Sequence, residues 1–139
     1  MLRINDTYEY KTLFSQDDVQ AFANLTDDQN PLHIDNEYAK QAHFGAQVAQ
    51  GGLIMCAYSK CINKYWPASK HAYFISQSIT YYKPVFLNVE YLIKFECTDI
   101  DRARNIGTLE GIMYDMDGNK IVKVEAKMYD EESFSLPKM

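Results

Sequence analysis

No apolar run in the 139 residues approaches the roughly 18–20 that a membrane-crossing helix needs, so no membrane span is expected. The stretch Met1 to Asp6 lacks the apolar core of a secretion signal. Cationic clusters are also missing: Lys and Arg never group beyond a pair, and the net charge is -5. A nucleic-acid partner needs a basic stripe to neutralise phosphates, so that class is excluded. Only three cysteines occur, Cys56, Cys61 and Cys97, with no C-x-x-C pair. An odd, unpaired set points to a reducing compartment, taken as the cytoplasm. All three are read as small buried apolar groups. No H-x-x-H, C-x-x-C or H-E-x-x-H pattern is present, so no metal is expected. His43 and His71 have no partner at ligand spacing and read as surface or loop residues. No G-x-G-x-x-G or phosphate loop exists either, so no tightly held nucleotide cofactor is expected.

What the chain does have is an ordinary globular balance, 47% apolar and 24% charged, over a length that fits a single domain, residues 1–139. Ser15 as N-cap, with Asp18 at the capping-box position and Val19, Phe22 and Ala23 on one face, predicts a helix over 16–25. Asp35 caps a second short helix to about Lys40. From Leu53 to Trp66 the apolar residues cover most of a helical circumference, which predicts a buried helix stopped by Pro67. The C-terminal half reads as strands. Residues 89–98 and 121–129 alternate with period two, and Asp117-Gly118 makes a tight turn between 106–115 and 120–129. Further strands fit 72–82 and 8–14. The fold class is therefore α+β: an antiparallel sheet curved around one long helix. The sheet's uncovered edges favour a second copy, so a homodimer or higher even oligomer is expected.

The chemistry-bearing stretch is Asp28-Gln29-Asn30-Pro31-Leu32-His33. It sets a carboxylate and an imidazole five residues apart across an Asn-Pro turn. Pro31 has a fixed φ, Asn30 is restricted by the proline after it, and the Asn30 amide can tie neighbouring backbone groups. Two proton-transfer groups on a stiff loop are what adding or removing water requires. Seventeen to nineteen residues on comes Gln50-Gly51-Gly52, opening the long helix. Free N–H groups at a helix start can hold a carbonyl oxygen, and glycine lets a substrate come close. Taken one at a time, Asp28 is a turn residue, His33 a core histidine and the glycines a helix-start turn; together they point to chemistry beside a carbonyl group.

Phe22-Ala23-Asn24-Leu25-Thr26-Asp27-Asp28-Gln29-Asn30-Pro31-Leu32-His33, followed by Ala39, resembles the signature of MaoC-like (R)-specific enoyl-CoA hydratases. The motif resemblance runs from about Phe14 to Ser59, and the strand order extends it over most of the chain. It implies the hot-dog fold and reversible hydration of 2-enoyl thioesters, with coenzyme A or acyl-carrier protein as part of the substrate and no separate cofactor. It also implies Asp28 and His33 as catalytic residues, activating water and moving the C2 proton, and Gly51 as the oxyanion site; Gly52 beside it, like Gly51, lets a substrate approach the backbone. Ser59, on the central helix, falls where some members place a pocket serine. Asp27 stands where the family often has glycine, and Gln50 where it often has histidine.

Two other classes fit a hot-dog frame: an acyl-thioesterase and a non-catalytic acyl-thioester-binding module. The first generally lacks the Asp-to-His loop; the second has no need of both residues. Lys60, Lys64, Lys70, Lys83 and Arg102 are the cations available to meet an acidic carrier. Among the aromatics Tyr73, Phe74, Tyr81, Tyr82, Phe86 and Tyr91, most are expected in core packing and some along an acyl tunnel.

Overall fold

A computed structural model describes residues 2–65 and 71–135. Five antiparallel strands form one sheet: β1 (Thr7–Leu13), β2 (Tyr73–Tyr81), β3 (Glu90–Asp101), β4 (Ile106–Tyr114) and β5 (Lys120–Tyr129), in the order β1-β3-β4-β5-β2. The alternation read in the sequence is realised on β3 and β5, where Tyr91, Ile93, Phe95 and Cys97, and Val122, Val124, Ala126 and Met128, face the core. The β4–β5 hairpin closes as expected, with Met113 opposite Val122. Its turn is set by Asp115, whose carboxylate accepts from the N–H groups of Asp117 and Asn119, and by Gly118 at φ 84°.

Helix α1 (Gln16–Thr26) starts in a reciprocal capping box: Ser15 Oγ accepts from Asp18 N at 3.1 Å, and Asp18 Oδ2 accepts from Ser15 N at 2.9 Å. Pro31–Ile34 coils into a single turn, α2, with Asn30 as N-cap and Pro31 at its first position. The stretch expected as loop is here a helical turn, because an Asn cap and a proline are equally the start signals of a helix. Asp35 caps α3 (Asn36–Gln41) by accepting from Tyr38 N, as expected.

Helix α4 (Gly51–Tyr65) lies on the sheet. Ile54, Tyr58, Cys61 and Ile62 are fully buried, spaced to form one stripe. Tyr58 meets Phe95 edge to face at 5.7 Å, over Gly111, where a Cβ would lie 2.8 Å from both rings. Two expectations are corrected here. The helix is not enclosed all round in the single chain, because Gly52, Cys56 and Lys60 stand exposed along the opposite stripe. Cys56 is therefore not a core group, whereas Cys61 and Cys97 are, and burial pushes their thiols up to about 12 and about 11. Counting apolar residues around a helix overstates burial when a small residue such as Cys or Gly occupies the outer stripe. Trp66 and Pro67, proposed as the helix end, lie outside the described residues.

A short helix, α5 (Glu131–Phe134), closes the C-terminal side, with the Phe134 ring against Gly107. The Arg102 guanidinium donates to the carbonyls of Ser135 and Leu2, tying the two ends of the chain together.

Candidate active site

The first residues of α4 are fixed from two sides. Val48 bridges Phe86, and Ala49 N donates to Val85 O at 2.8 Å, so the helix head is stitched to the segment after β2. The turn α2 is stitched to the residues just before the helix, Gln47 and Val48. Val48 N donates to Leu32 O at 3.4 Å, and Gln47 Nε2 donates to His33 O at 2.7 Å and to Gln16 Oε1 at 2.8 Å. The His33 ring completes the junction: its Nδ1 lies 2.7 Å from Val48 O. A carbonyl only accepts, so Nδ1 carries the hydrogen and Nε2 of the neutral ring keeps a free lone pair.

These contacts shape a cavity of about 420 Å³. His33, Gly51, Tyr81, Tyr82 and Lys83 line it, with Leu32, Phe44, Val48, Ile54 and Val85 among its apolar walls. At the head of α4 the N–H groups of Gly51, Gly52 and Leu53 have no acceptor among the described residues, and Gly51 alone of the three lines this cavity; the first helical bond inward is Ile54 N to Gln50 O. Free N–H groups at the positive end of a 15-residue helix favour a developing negative charge.

The sequence-derived site residues separate into two sets. His33 and Gly51 line one cavity. Asp28, Asn30, Gly52 and Ser59 are outside that lining. Asp28 is half-buried just beyond α1; its Oδ1 accepts from Asn30 N at 3.2 Å, and its Oδ2 has no donor among the described residues. Asp27, the charged neighbour, takes the left-handed C-cap of α1 at φ 59°. Asn30 is a cap, its Oδ1 accepting from Leu32 N. Gly52 faces α1: a Cβ there would lie 2.5 Å from the Phe22 ring. Ser59 is eight residues down the helix from Gly51, about 12 Å along its axis.

Gln50 is buried, and its Nε2 donates to Val19 O at 3.0 Å while its Oε1 has no partner. Of the cations considered for an acidic carrier, Lys83 lines the cavity, whereas Lys60 lies in a separate groove with Cys56. Arg102 is engaged in the chain-end contact above; the Lys64 side chain and Lys70 lie outside the described part. Of the aromatics, Tyr81 and Tyr82 line the cavity, and Tyr91 is a core residue whose hydroxyl accepts from Phe86 N. Sequence reasoning missed Val48, the acceptor that sets the His33 tautomer; a main-chain carbonyl 15 residues away leaves no signal in residue type.

The five-stranded antiparallel sheet around α4 is that of a hot-dog protein. The chain belongs to the family described as the MaoC like domain, whose model matches residues 3–113. It is 32% identical over 105 residues to a mitochondrial 3-hydroxyacyl-[acyl-carrier-protein] dehydratase of Arabidopsis thaliana, covering 76% of this chain and 61% of that one. It is 30% identical over 113 residues to the (R)-specific enoyl-CoA hydratase of Aeromonas caviae, covering 81% of this chain and 84% of the relative. The solved (R)-hydratase of A. caviae superposes with a TM-score of 0.86 at 27% identity, over 92% of this chain and 96% of that one. An unliganded R-hydratase of Pseudomonas aeruginosa reaches 0.87 at 23% identity, over 99% of this chain and 90% of that one, a likeness of fold.

Proposed function

We propose that the protein hydrates 2-enoyl thioesters and, in reverse, dehydrates (R)-3-hydroxyacyl thioesters, with the acyl group carried on coenzyme A or acyl-carrier protein. The observation that carries this reading is the His33 ring, locked on Val48 O, sharing a cavity with Gly51, the first residue of α4. Relatives named as a dehydratase and as a hydratase support the same reaction class.

In the forward direction water oxygen bonds to C3 of the enoyl group. One water proton goes to the base, the C2–C3 double bond gains charge toward the thioester oxygen, and a proton then reaches C2. The thioester oxygen takes its developing charge at the Gly51 end of α4, where one fixed donor is worth about 10²–10³ in rate. His33 Nε2 exchanges the proton. We assign Asp28, whose Oδ2 has no donor among the described residues, to hold and activate the water with His33, which requires its side chain to turn toward the cavity it does not line.

We further assign the protein to the cytoplasm as a homodimer. Three free thiols agree with a reducing compartment, although the Arabidopsis relative is named mitochondrial. Among the described residues no helix is long and apolar enough to cross a membrane.

The test follows loss of the conjugated-thioester absorbance of a short 2-enoyl-CoA. Wild type turns it over; His33→Ala and Asp28→Asn lose about 10²–10⁴-fold while keeping their melting temperatures. Release of free thiol without change at C2–C3 would instead make the protein a thioesterase. No reaction on CoA or carrier-protein substrates of several lengths leaves a binding module.

A further inference from the structure

Tyr81 is the last residue of β2 and lies on the same strand face as Ile79, which packs against the core. Its hydroxyl donates to Gly51 O at 2.7 Å, across 30 residues of sequence. The contact is so close that a Cβ on Gly51 would lie 2.7 Å from the Tyr81 oxygen and 3.0 Å from its Cζ. The ring also lines the cavity that holds His33. Burial raises the phenol's pKa above its usual value, so it stays a neutral donor across the working range of pH.

The helix head needs such a brace. Two successive glycines open α4, and glycine gives up more backbone freedom than any other residue when it is fixed. The Gly51 carbonyl belongs to the same peptide plane as the Gly52 N–H. A donor on that oxygen therefore fixes the plane and polarises the N–H on its far side. The Gly52 side of the plane is held by the Phe22 ring, where a Cβ would lie at 2.5 Å. One aromatic side chain thus grips each glycine, and only Tyr81 does so with a hydrogen bond.

We propose that Tyr81 is a positioning residue for the hydration reaction, its hydroxyl clamping the Gly51–Gly52 peptide so that Gly51, at the cavity wall, is held in a fixed position against the thioester oxygen. The clamp serves catalysis only if the protein is the hydratase proposed above. Its contribution is greatest where charge on the oxygen is greatest, in the transition state, so it acts on kcat more than on KM.

Tyr81→Phe removes the hydroxyl and keeps the ring. On a four-carbon 2-enoyl-CoA it should lower kcat about tenfold with KM within about twofold, the size expected for one hydrogen bond. The melting temperature should hold, and the Gly52 amide proton resonance should move upfield as its peptide loses polarisation. A kcat within about twofold of wild type overturns the proposal while leaving the hydratase reading intact. So does a raised KM at unchanged kcat, which would make Tyr81 a simple substrate contact. An unshifted Gly52 amide overturns it even if kcat falls. A wild type inactive on every enoyl thioester fells the hydratase reading first, and the clamp's catalytic role with it.

Discussion

Gly52 and Gly51 carry the same residue type for different neighbours. A methyl at Gly52 would run into the Phe22 ring from α1, and one at Gly51 into the Tyr81 hydroxyl from β2. Neither glycine has a positive φ, so close approach rather than backbone conformation explains both. Gly52→Ala should therefore destabilise the fold by about 1–3 kcal/mol through overpacking between α1 and α4. Urea unfolding measures it as a lower midpoint at unchanged slope, and Phe22→Leu in the same chain should restore much of the loss. A Gly52→Ala protein as stable as wild type would show that the Phe22 ring can simply turn away. In the sequence the glycine pair was legible as a place of close approach. The rings that fill it were not, because contacts across 30 residues are set by the packing of whole elements. The acid and imidazole were legible as a motif, and His33 does stand at a cavity wall. That its tautomer is fixed by a backbone carbonyl could not be read, since every residue offers one.

Elements followed from local rules where local rules suffice. The capping box at Ser15, the cap at Asp35 and the period-two faces of β3 and β5 are short-range patterns, and each formed as read. Where a tertiary neighbour decides, local pattern does not suffice: the apolar circumference of α4 predicts an enclosed helix, yet its Gly52, Cys56 and Lys60 stripe is exposed in the single chain. The buried stripe has a measurable consequence. Cys61 on α4 and Cys97 on β3 sit in the core, and desolvation raises their thiols from 9.0 to about 12 and about 11; the nearby Asp6 charge adds to the shift at Cys97. The folded state then keeps protons that the unfolded chain releases above pH 9. The stabilisation is complete below pH 9 and is lost as pH climbs toward 11 and 12. Melting temperature should thus fall steadily between pH 9 and 11. Buried Tyr58 and Tyr91, also raised by desolvation, add to the same slope. Cys61→Val should give a shallower decline; a decline as steep as wild type would show that this thiol ionises without unfolding.

At the scale of the whole molecule the two sheet edges are treated differently. β1 is guarded by charge: Glu9 pairs with Lys94 at 3.8 Å and Lys11 with Glu90 at 3.4 Å, all four exposed. Lysines and glutamates along an edge discourage further strands. β2, the opposite edge, reads YFISQSITY without one charged residue, and Tyr73 and Ile75 are 56% and 49% exposed. An uncharged strand with apolar side chains in water and a row of unpaired N–H and C=O groups is an open invitation to pairing. A second copy meeting it about a two-fold axis satisfies both edges at once and covers the cavity mouth near Tyr81 and Tyr82. Sedimentation should then give about twice the 16.1 kDa chain mass at micromolar concentration. Ile75→Lys places a charge on the edge, at the irregularity between Phe74 and Ser76, and should yield a monomer with its native circular dichroism. Because β2 also holds Tyr81 against Gly51, that monomer should lose turnover together with its partner. A wild type that sediments as a monomer, or an Ile75→Lys protein that remains dimeric, would move the interface away from β2.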